Sequence, residues 1–320
     1  MTEFSGKDVL VTGGTGLIGR QVVKLLLESG ANVTIISLDN LKPYHDAQYV
    51  RGDLTDLDTC TKVTDGRDFV FHLAGVKAGI ETSKTRVASH FVPTLMMTTN
   101  LLEACRRNSV GKTLFTSSIG AYPNLDIFVE TEKYEKPPMD FAGWAKRMGE
   151  LQIQAYKMEH GLTNFATVRL SNVYGPGDNF DPNNAMVIPS LMSRIKSGES
   201  PLKVWGNGSA RRDFLYSRDA AIGILLAIAK GTNGEFVNLG SGEAVPIRTL
   251  IKTLADIIGF EYEFDATKPA GAPLKLMDIN LARQTLDFHP STTLHQGLKL
   301  TWDWYCENQD EFNQRHNYFK

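Results

Sequence analysis

A chain of 320 residues, 42% of them apolar and 22% charged, carries enough apolar material for one large α/β domain with a smaller lobe beside it. Its 34 Lys and Arg against 36 Asp and Glu leave a formal charge of -2, so no field favours nucleic acid or a membrane surface, and anionic ligands must be held by local pockets. No basic and apolar leader opens the sequence and no apolar run of about 18 residues follows, so a cytoplasmic protein is expected.

From about residue 9 to about residue 173, short β-branched or aromatic runs alternate with longer segments at helical spacing, the pattern of βαβ units in a parallel sheet. The first strand is expected at 8–12 and runs into Gly13-Gly14-Thr15-Gly16-Leu17-Ile18-Gly19, followed by an apolar helix at 18–29. In that setting Gly13 permits the tight turn, Gly16 lets the backbone approach a pyrophosphate, and Gly19 allows close helix–sheet packing. The helix N-terminus offers free N–H groups to the anion, so the loop is a dinucleotide candidate. Strands follow at 32–37, 47–51 and 68–73, the last two leading into Gly52-Asp53-Leu54 and Leu73-Ala74-Gly75. Asp53 taken alone could equally cap a helix, and His72 at its strand end reads as a packed core residue. A helix at 94–108, a strand at 112–117 closing on Phe115-Thr116-Ser117-Ser118, a helix at 144–160 and a strand at 166–170 complete a doubly wound sheet.

After Pro176 the texture changes to loops rich in Asn, Pro and Gly at 177–184 and 206–209, which mark a second lobe. A helix at 218–229 and a strand at 236–239 return to the sheet, and 245–258 and 293–312 are expected to be helical. The division assigns 1–173 and 214–242 to a dinucleotide-binding domain, and 174–213 and 243–320 to a smaller α/β lobe. The 7 histidines stand singly and the 3 cysteines lack paired spacings, so no metal site is expected and the thiols are read as reduced.

The G-x-x-G-x-x-G loop, with Asp53-Leu54 and Leu73-Ala74-Gly75, resembles the short-chain dehydrogenases of the extended kind. The resemblance gives the Asp53 carboxylate to the adenine amino group. Cofactor choice rests on the tip of the second strand, where a carboxylate binds the ribose 2′-hydroxyl and repels a 2′-phosphate. Counting as in NAD-dependent relatives puts Ser37 there, which suits NADP. Asp39, about 20 residues past Gly19, stands where an NAD-type acid is expected. No arginine sits beside Ser37 to hold a phosphate. Between NAD and NADP, Ser37 tips the expectation toward NADP.

Short-chain dehydrogenases use a Ser or Thr, a Tyr, and a Lys four residues after that Tyr, so that Tyr and Lys share one helical face. The lysine charge depresses the phenol pKa, and the phenolate exchanges a proton with the sugar oxygen. By this resemblance Ser118 is the serine and Lys146, within Gly143-Trp144-Ala145-Lys146-Arg147-Met148-Gly149-Glu150, is the lysine. Four residues before Lys146 stands Ala142. Tyr134 is too far upstream to replace the missing phenol, and Phe141 has no hydroxyl. The intact surroundings favour an introduced change at 142 over a natural non-catalytic homologue, and over an enzyme that draws on Tyr122 or a water.

The second lobe resembles the GDP-L-fucose synthase family of NADP-dependent 3,5-epimerase and 4-reductase enzymes. The residues are Asn172-Val173-Tyr174-Gly175-Pro176, Asp178-Asn179-Phe180, Val187-Ile188-Pro189, Val204-Trp205-Gly206-Asn207-Gly208, Arg212-Asp213-Phe214-Leu215 and Lys275-Leu276-Met277-Asp278. The resemblance implies that Leu170 and Val173 border the cofactor, while Lys77, Asn172 and Asp278 border the sugar nucleotide. Trp205 would pack on the guanosine, and Arg194 and Arg212 would neutralise its diphosphate. Where that family carries a Cys and a His for inversion at C3 and C5, this chain has Gly120 and Met186, which transfer no proton at neutral pH. Hydride chemistry at C4 is what the retained groups support, as a 4-reductase, 4-dehydrogenase or 4-epimerase. The resemblance also implies a two-fold homodimer built on helices after the fourth and fifth strands.

Overall fold

The computed structural model describes residues 2–76, 79–181 and 184–316. The strands and helices of the first half are β1 (Asp8–Thr12), α1 (Leu17–Glu28), β2 (Asn32–Ser37), β3 (Gln48–Arg51), α2 (Leu57–Thr64), β4 (Phe69–His72), α3 (Ile80–Thr85), α4 (Val87–Arg107), β5 (Lys112–Ser118), β6 (Ile127–Phe128), α5 (Phe141–His160) and β7 (Phe165–Leu170). Those of the second half are β8 (Asn172–Tyr174), α6 (Val187–Lys196), β9 (Leu202–Trp205), β10 (Arg211–Arg212), β11 (Phe214–Tyr216), α7 (Ser217–Lys230), β12 (Phe236–Leu239), β13 (Val245–Pro246), α8 (Ile247–Ile258), β14 (Tyr262–Asp265), β15 (Leu274–Met277), α9 (Asn280–Leu286) and α10 (Leu294–Glu307). Seven strands form one parallel sheet in the order β12-β7-β5-β4-β1-β2-β3, which reverses direction beside β1.

Strand alternation divides the core between the two faces of that sheet. Val9 and Val11 of β1 join Val33 and Ile35 of β2 beneath α1 and α7, whereas Leu10 and Ile36 point into the layer of α2, α4 and α5. These β1 and β2 residues are fully or almost fully buried because a parallel sheet is covered on both faces. A third cluster fills the second lobe between α6, α8 and α10, where Phe180 stacks on Tyr305 with ring centroids 4.0 Å apart.

The expected strands of the sheet are all present, within a residue or two of their bounds. Three helical expectations change, and α2 and α3 are helices for which the sequence carries no expectation. Helix α2 has no counterpart in the sequence pattern, because in its short span only Cys60, Val63 and Thr64 are buried. Helix α4 starts at Val87 and runs through Pro93, since packing against α2 and α5 outweighs the hydrogen bond that the proline removes. Val245 and Pro246 pair with β10, so α8 begins only at Ile247. The last helix stops at Glu307, and a 3₁₀ turn over Gln309–Gln314 turns the chain back toward the sheet. Among the described residues no helix is long and apolar enough to cross a membrane.

Candidate active site

A cleft of about 990 Å³ opens at the carboxyl ends of the central strands, where the strand order reverses. The glycine loop forms its floor. Gly13 takes φ +65°, and a Cβ on Gly19 would lie 2.1 Å from the Gly13 carbonyl oxygen, so neither position tolerates a side chain without moving the loop. Gly16 is the N-cap of α1 and supplies no side-chain cap, which leaves the first-turn N–H groups of that helix facing the cleft. Thr15, Leu17 and Ile18 line the same wall, with Leu54, Leu73, Ala74, Gly75, Leu170 and Val173 opposite or beside it.

Behind this floor His72 fills the gap between β1 and α4. Thr12 Oγ1 accepts from the backbone N–H groups of Leu73 and Ala74 at 3.1 and 3.0 Å, so its own proton points at His72 Nδ1, 3.0 Å away. His72 Nε2–H then donates to Thr98 Oγ1 at 3.1 Å. Burial, with the Lys146 cation adding to it, lowers the His72 pKa to about 3, so the ring is neutral and structural. An unfolded His72 titrates near 6.5, so below that pH the unfolded chain takes up a proton that the folded chain refuses. Stability is therefore lost as pH falls through the window from about 6.5 toward 3. Between pH 7 and 5 the unaltered chain is expected to lose about 2 kcal/mol more than His72→Asn in urea unfolding. Equal losses in the two proteins would refute it.

At the tip of β2 both candidate ribose residues reach the cleft. Thr15 Oγ1 donates to Asp39 Oδ2 at 2.6 Å, Ser37 Oγ lies 3.1 Å from Thr15 Oγ1, and the Asp39 N–H donates to Ser37 Oγ at 3.1 Å. The two residues are partners in one cluster. Asp53 is not among the residues that line the cleft, and it accepts from Thr55 N at 2.9 Å. The cap of α2 is Asp56, which accepts from Thr59 N at 2.9 Å.

The catalytic candidates come together on the far side. Asp140 caps α5 by accepting from Gly143 N at 2.8 Å, which starts the helix so that Ala142 and Lys146 stand one turn apart on the cleft wall with Ser118. The first turn of α5 presses on the 118–121 turn, because a Cβ on Gly143 would lie 1.9 Å from the Gly120 oxygen. Lys146 Nζ donates to the Thr116 carbonyl at 2.8 Å and sits 5.2 Å above the Phe115 ring. Burial lowers its pKa to about 8, and Glu150 one turn further along α5 offsets part of that fall. Tyr122 is fully buried and donates to Asn238 Oδ1 at 2.9 Å, with burial pushing its phenol pKa up, so it offers the cleft no proton. Gly120 and Met186 both line the cleft.

Of the expected substrate residues, Asn172 lines this cleft and Lys77 lies outside the described residues. Arg194, Trp205, Arg212 and Asp278 are not among its walls. Arg194 is paired with Glu199 through Nε and Nη2 at 2.7 and 2.5 Å. Arg212 Nη1 donates to the carbonyls of Arg211 and Ala272, and Asp278 accepts from Asn280. Trp205, 64% exposed, projects from the end of β9. The Asp213 that follows Arg212 is fully buried and accepts from Ser171 Oγ and from the N–H and hydroxyl of Ser241, which clamps the ends of β7 and β12 together. Residues that the sequence did not mark also line the cleft, chiefly Asp140, Asn184, Arg315 and His316. Asp140 carried a signal, as a helix cap; Arg315 and His316 carried none.

Comparison with known proteins agrees with this geometry. The sequence pattern of the NAD dependent epimerase/dehydratase family matches residues 9–240. The chain is 32% identical over 321 aligned residues to GDP-L-fucose synthase 1 of Arabidopsis thaliana, covering 96% of this chain and 95% of that protein. It superposes on a UDP-glucose 4-epimerase of Thermotoga maritima, solved with UDP-glucose, with TM-score 0.82 and 28% identity over 94% of this chain and 99% of that one. It also superposes on MoeE5, solved with UDP-glucose and NAD, with TM-score 0.80 and 25% identity over 94% and 99%. With its glycine loop, its reversed parallel sheet and this match through most of its length, the chain belongs to the NAD-dependent epimerase/dehydratase family of extended short-chain dehydrogenases.

Proposed function

We propose that the chain binds NAD(H) or NADP(H) and a nucleotide sugar, a GDP-sugar before others, and acts by hydride transfer at C4, with Ala142 depriving it of its proton donor. The observation that carries this is the placing of Ser118, Ala142 and Lys146 on one wall of a cleft whose floor is the glycine loop. The residues present fit a dinucleotide: an uncapped helix N-terminus for the pyrophosphate, glycines where a Cβ would clash, and hydroxyl and carboxyl groups at the ribose end. The nicotinamide, when bound, supplies the hydride donor or acceptor. Lys146 would hold the phenol of a tyrosine at 142 in its acidic range, and Ser118 would hydrogen-bond the sugar oxygen. GDP is favoured by the relatives named as GDP-L-fucose synthases, and UDP is the competing nucleotide, from the epimerase with UDP-glucose. We assign 174–213 and 243–320 to the sugar-nucleotide lobe, with Trp205 and Arg212 as its nucleotide contacts.

Gly120 and Met186 set the chain apart from a GDP-L-fucose synthase proper, since neither supplies a proton for inversion at C3 or C5. A second reading, a dinucleotide-binding homologue without catalysis, is favoured by Ala142 together with the burial of Tyr122. Titration calorimetry with all four cofactor forms tests the common ground. Binding at micromolar concentration or tighter is expected, and no binding to any form would remove both readings.

We further propose a two-fold homodimer through α4 and α5. The two helices pack on each other and leave Val92, Met96, Leu151 and Met158 exposed. Sedimentation at micromolar concentration is expected to give twice the mass of the chain, and the chain mass alone would contradict this.

A further inference from the structure

The ribose end of the cleft is closed by a part of the chain nearly 280 residues away in sequence. The segment 309–316 passes α1 and the tip of β2 as a strap. Asn40 N donates to the Gln314 carbonyl at 3.1 Å, and His316 N donates to Asp39 Oδ1 at 2.7 Å. Arg20, whose Nε holds the Thr15 carbonyl at 2.8 Å, grips Glu311 through Nη1 and Nη2 at 3.3 and 2.5 Å. The Arg20 guanidinium also lies 5.3 Å from the ring of Trp304 in α10, so the helix that precedes the strap is fixed to the same arginine. At the far edge Arg315 donates to the carbonyls of Gly177 and Asp178 at 2.9 and 3.2 Å.

Arg315 lines the same cleft as Ser37 and Asp39. Its guanidinium is desolvated, and Arg20 lies close enough to oppose its charge, so its pKa is lowered; Asp39, Asp178 and Glu311 act the other way. A cation held in a desolvated place attracts an anion more strongly than the same cation in water. A guanidinium fork at a cleft wall is suited to a phosphate monoester. Asp39 is suited to the opposite task. Its two oxygens each accept one bond, from Thr15 Oγ1 and from His316 N, and each retains a lone pair for a ribose hydroxyl. The strap therefore brings a guanidinium into the cleft that Asp39 lines, near enough for the two charges to interact.

We propose that Arg315 is a specificity-determining residue for the cofactor, drawing the 2′-phosphate of NADP(H) into a site where Asp39 alone would select NAD(H). This rests on the dinucleotide assignment above. With the two charges opposed, the unaltered chain binds both cofactors, and each substitution tips it one way.

The test is calorimetry on the full chain with NADPH and NADH, and with 2′,5′-ADP against 5′-AMP as fragments lacking the nicotinamide. Arg315→Met is expected to weaken NADPH and 2′,5′-ADP about 10- to 100-fold, the range for loss of a charge-assisted pair, while NADH and 5′-AMP change less than about threefold. Arg315→Lys keeps the charge without the fork and falls between. Asp39→Asn raises the NADPH to NADH preference. Equal weakening of both cofactors by Arg315→Met would make Arg315 a mere anchor of the strap and overturn the proposal, as would an unchanged ratio. If Arg315→Met does not fold, Arg315→Lys and Asp39→Asn decide, and a ratio unmoved by both overturns it. An unaltered chain that binds neither cofactor would sink the dinucleotide assignment itself, whereas binding with an unmoved ratio sinks the role of Arg315 alone.

Discussion

Replacing Ala142 by tyrosine is expected to raise turnover on a nucleotide sugar by about 10²- to 10⁴-fold, the range for one positioned proton-transfer group, with cofactor affinity little changed. Position 142 lies in the first turn of α5, on the cleft wall, one turn before Lys146. The local frame around it is rigid: Asp140 caps the helix, and Gly143 is pressed against Gly120 too closely for any side chain. A phenol at 142 would therefore share the face of a lysine that is already oriented by the Thr116 carbonyl. The assay offers GDP-, UDP-, CDP- and dTDP-sugars and their 4-keto derivatives, follows nicotinamide absorbance, and examines products by NMR. Reaction at C4 without inversion at C3 or C5 is the expected outcome, because on the proposed reading Gly120 and Met186 occupy the positions of the proton-transferring Cys and His. Inversion at C3 or C5 would bring the GDP-L-fucose synthase reading forward. An Ala142→Tyr variant that binds cofactor and sugar nucleotide yet stays inert would favour the non-catalytic homologue.

Glu150→Ala is expected to cost about 3–5 kcal/mol of stability, the scale for stripping one partner from a buried ion pair. Glu150, one turn past Lys146, is 2% exposed and accepts from Arg169 Nε and Nη2 at 2.8 and 2.6 Å and from Ser117 Oγ at 2.5 Å. Arg169 on β7 is fully buried between aromatic rings, 3.6 Å from Phe236 and 4.0 Å from Tyr122. Without Glu150 that guanidinium keeps its charge in an apolar place, and β5, α5 and β7 lose the link that joins them beneath the cleft wall. Arg169→Met made together with Glu150→Ala removes the stranded charge and is expected to recover most of the loss, measured as the coupling in a double-mutant cycle by urea unfolding. A cost below about 1 kcal/mol for Glu150→Ala would show that water or another group takes over its role.

Much of the site was legible because it is local. The glycine loop needs only its own backbone, a strand before it and a helix after it, and residues 13–19 with their flanks carry all three signals in consecutive positions. That positions 142 and 146 share one face follows from helical periodicity, while reading Ala142 as a missing phenol rests on the resemblance to short-chain dehydrogenases. The choice between Ser37 and Asp39 was not legible, since both are close enough to Thr15 to share one hydrogen-bonded cluster. Arg194 has a partner that was not legible either. Its guanidinium suits a diphosphate in sequence terms, yet five residues later the chain supplies Glu199, and the two close on each other.

By itself the sequence determined the parallel sheet and the glycine loop, because steric repeats of two and 3.6 residues and the conformational freedom of glycine act over a few neighbouring residues, while the Ser118 and Lys146 candidates and the gap at 142 rest on the family resemblance. Only the tertiary structure decided that α4 continues through Pro93, that Glu150 and Arg169 neutralise each other under the site, that Tyr122 is sealed in the core, and that the segment 309–316 brings Arg315 and His316 to Asp39. Those outcomes depend on which distant groups share a low-dielectric space, where an unmatched charge or polar group costs several kcal/mol, and no spacing within the chain encodes that partnership.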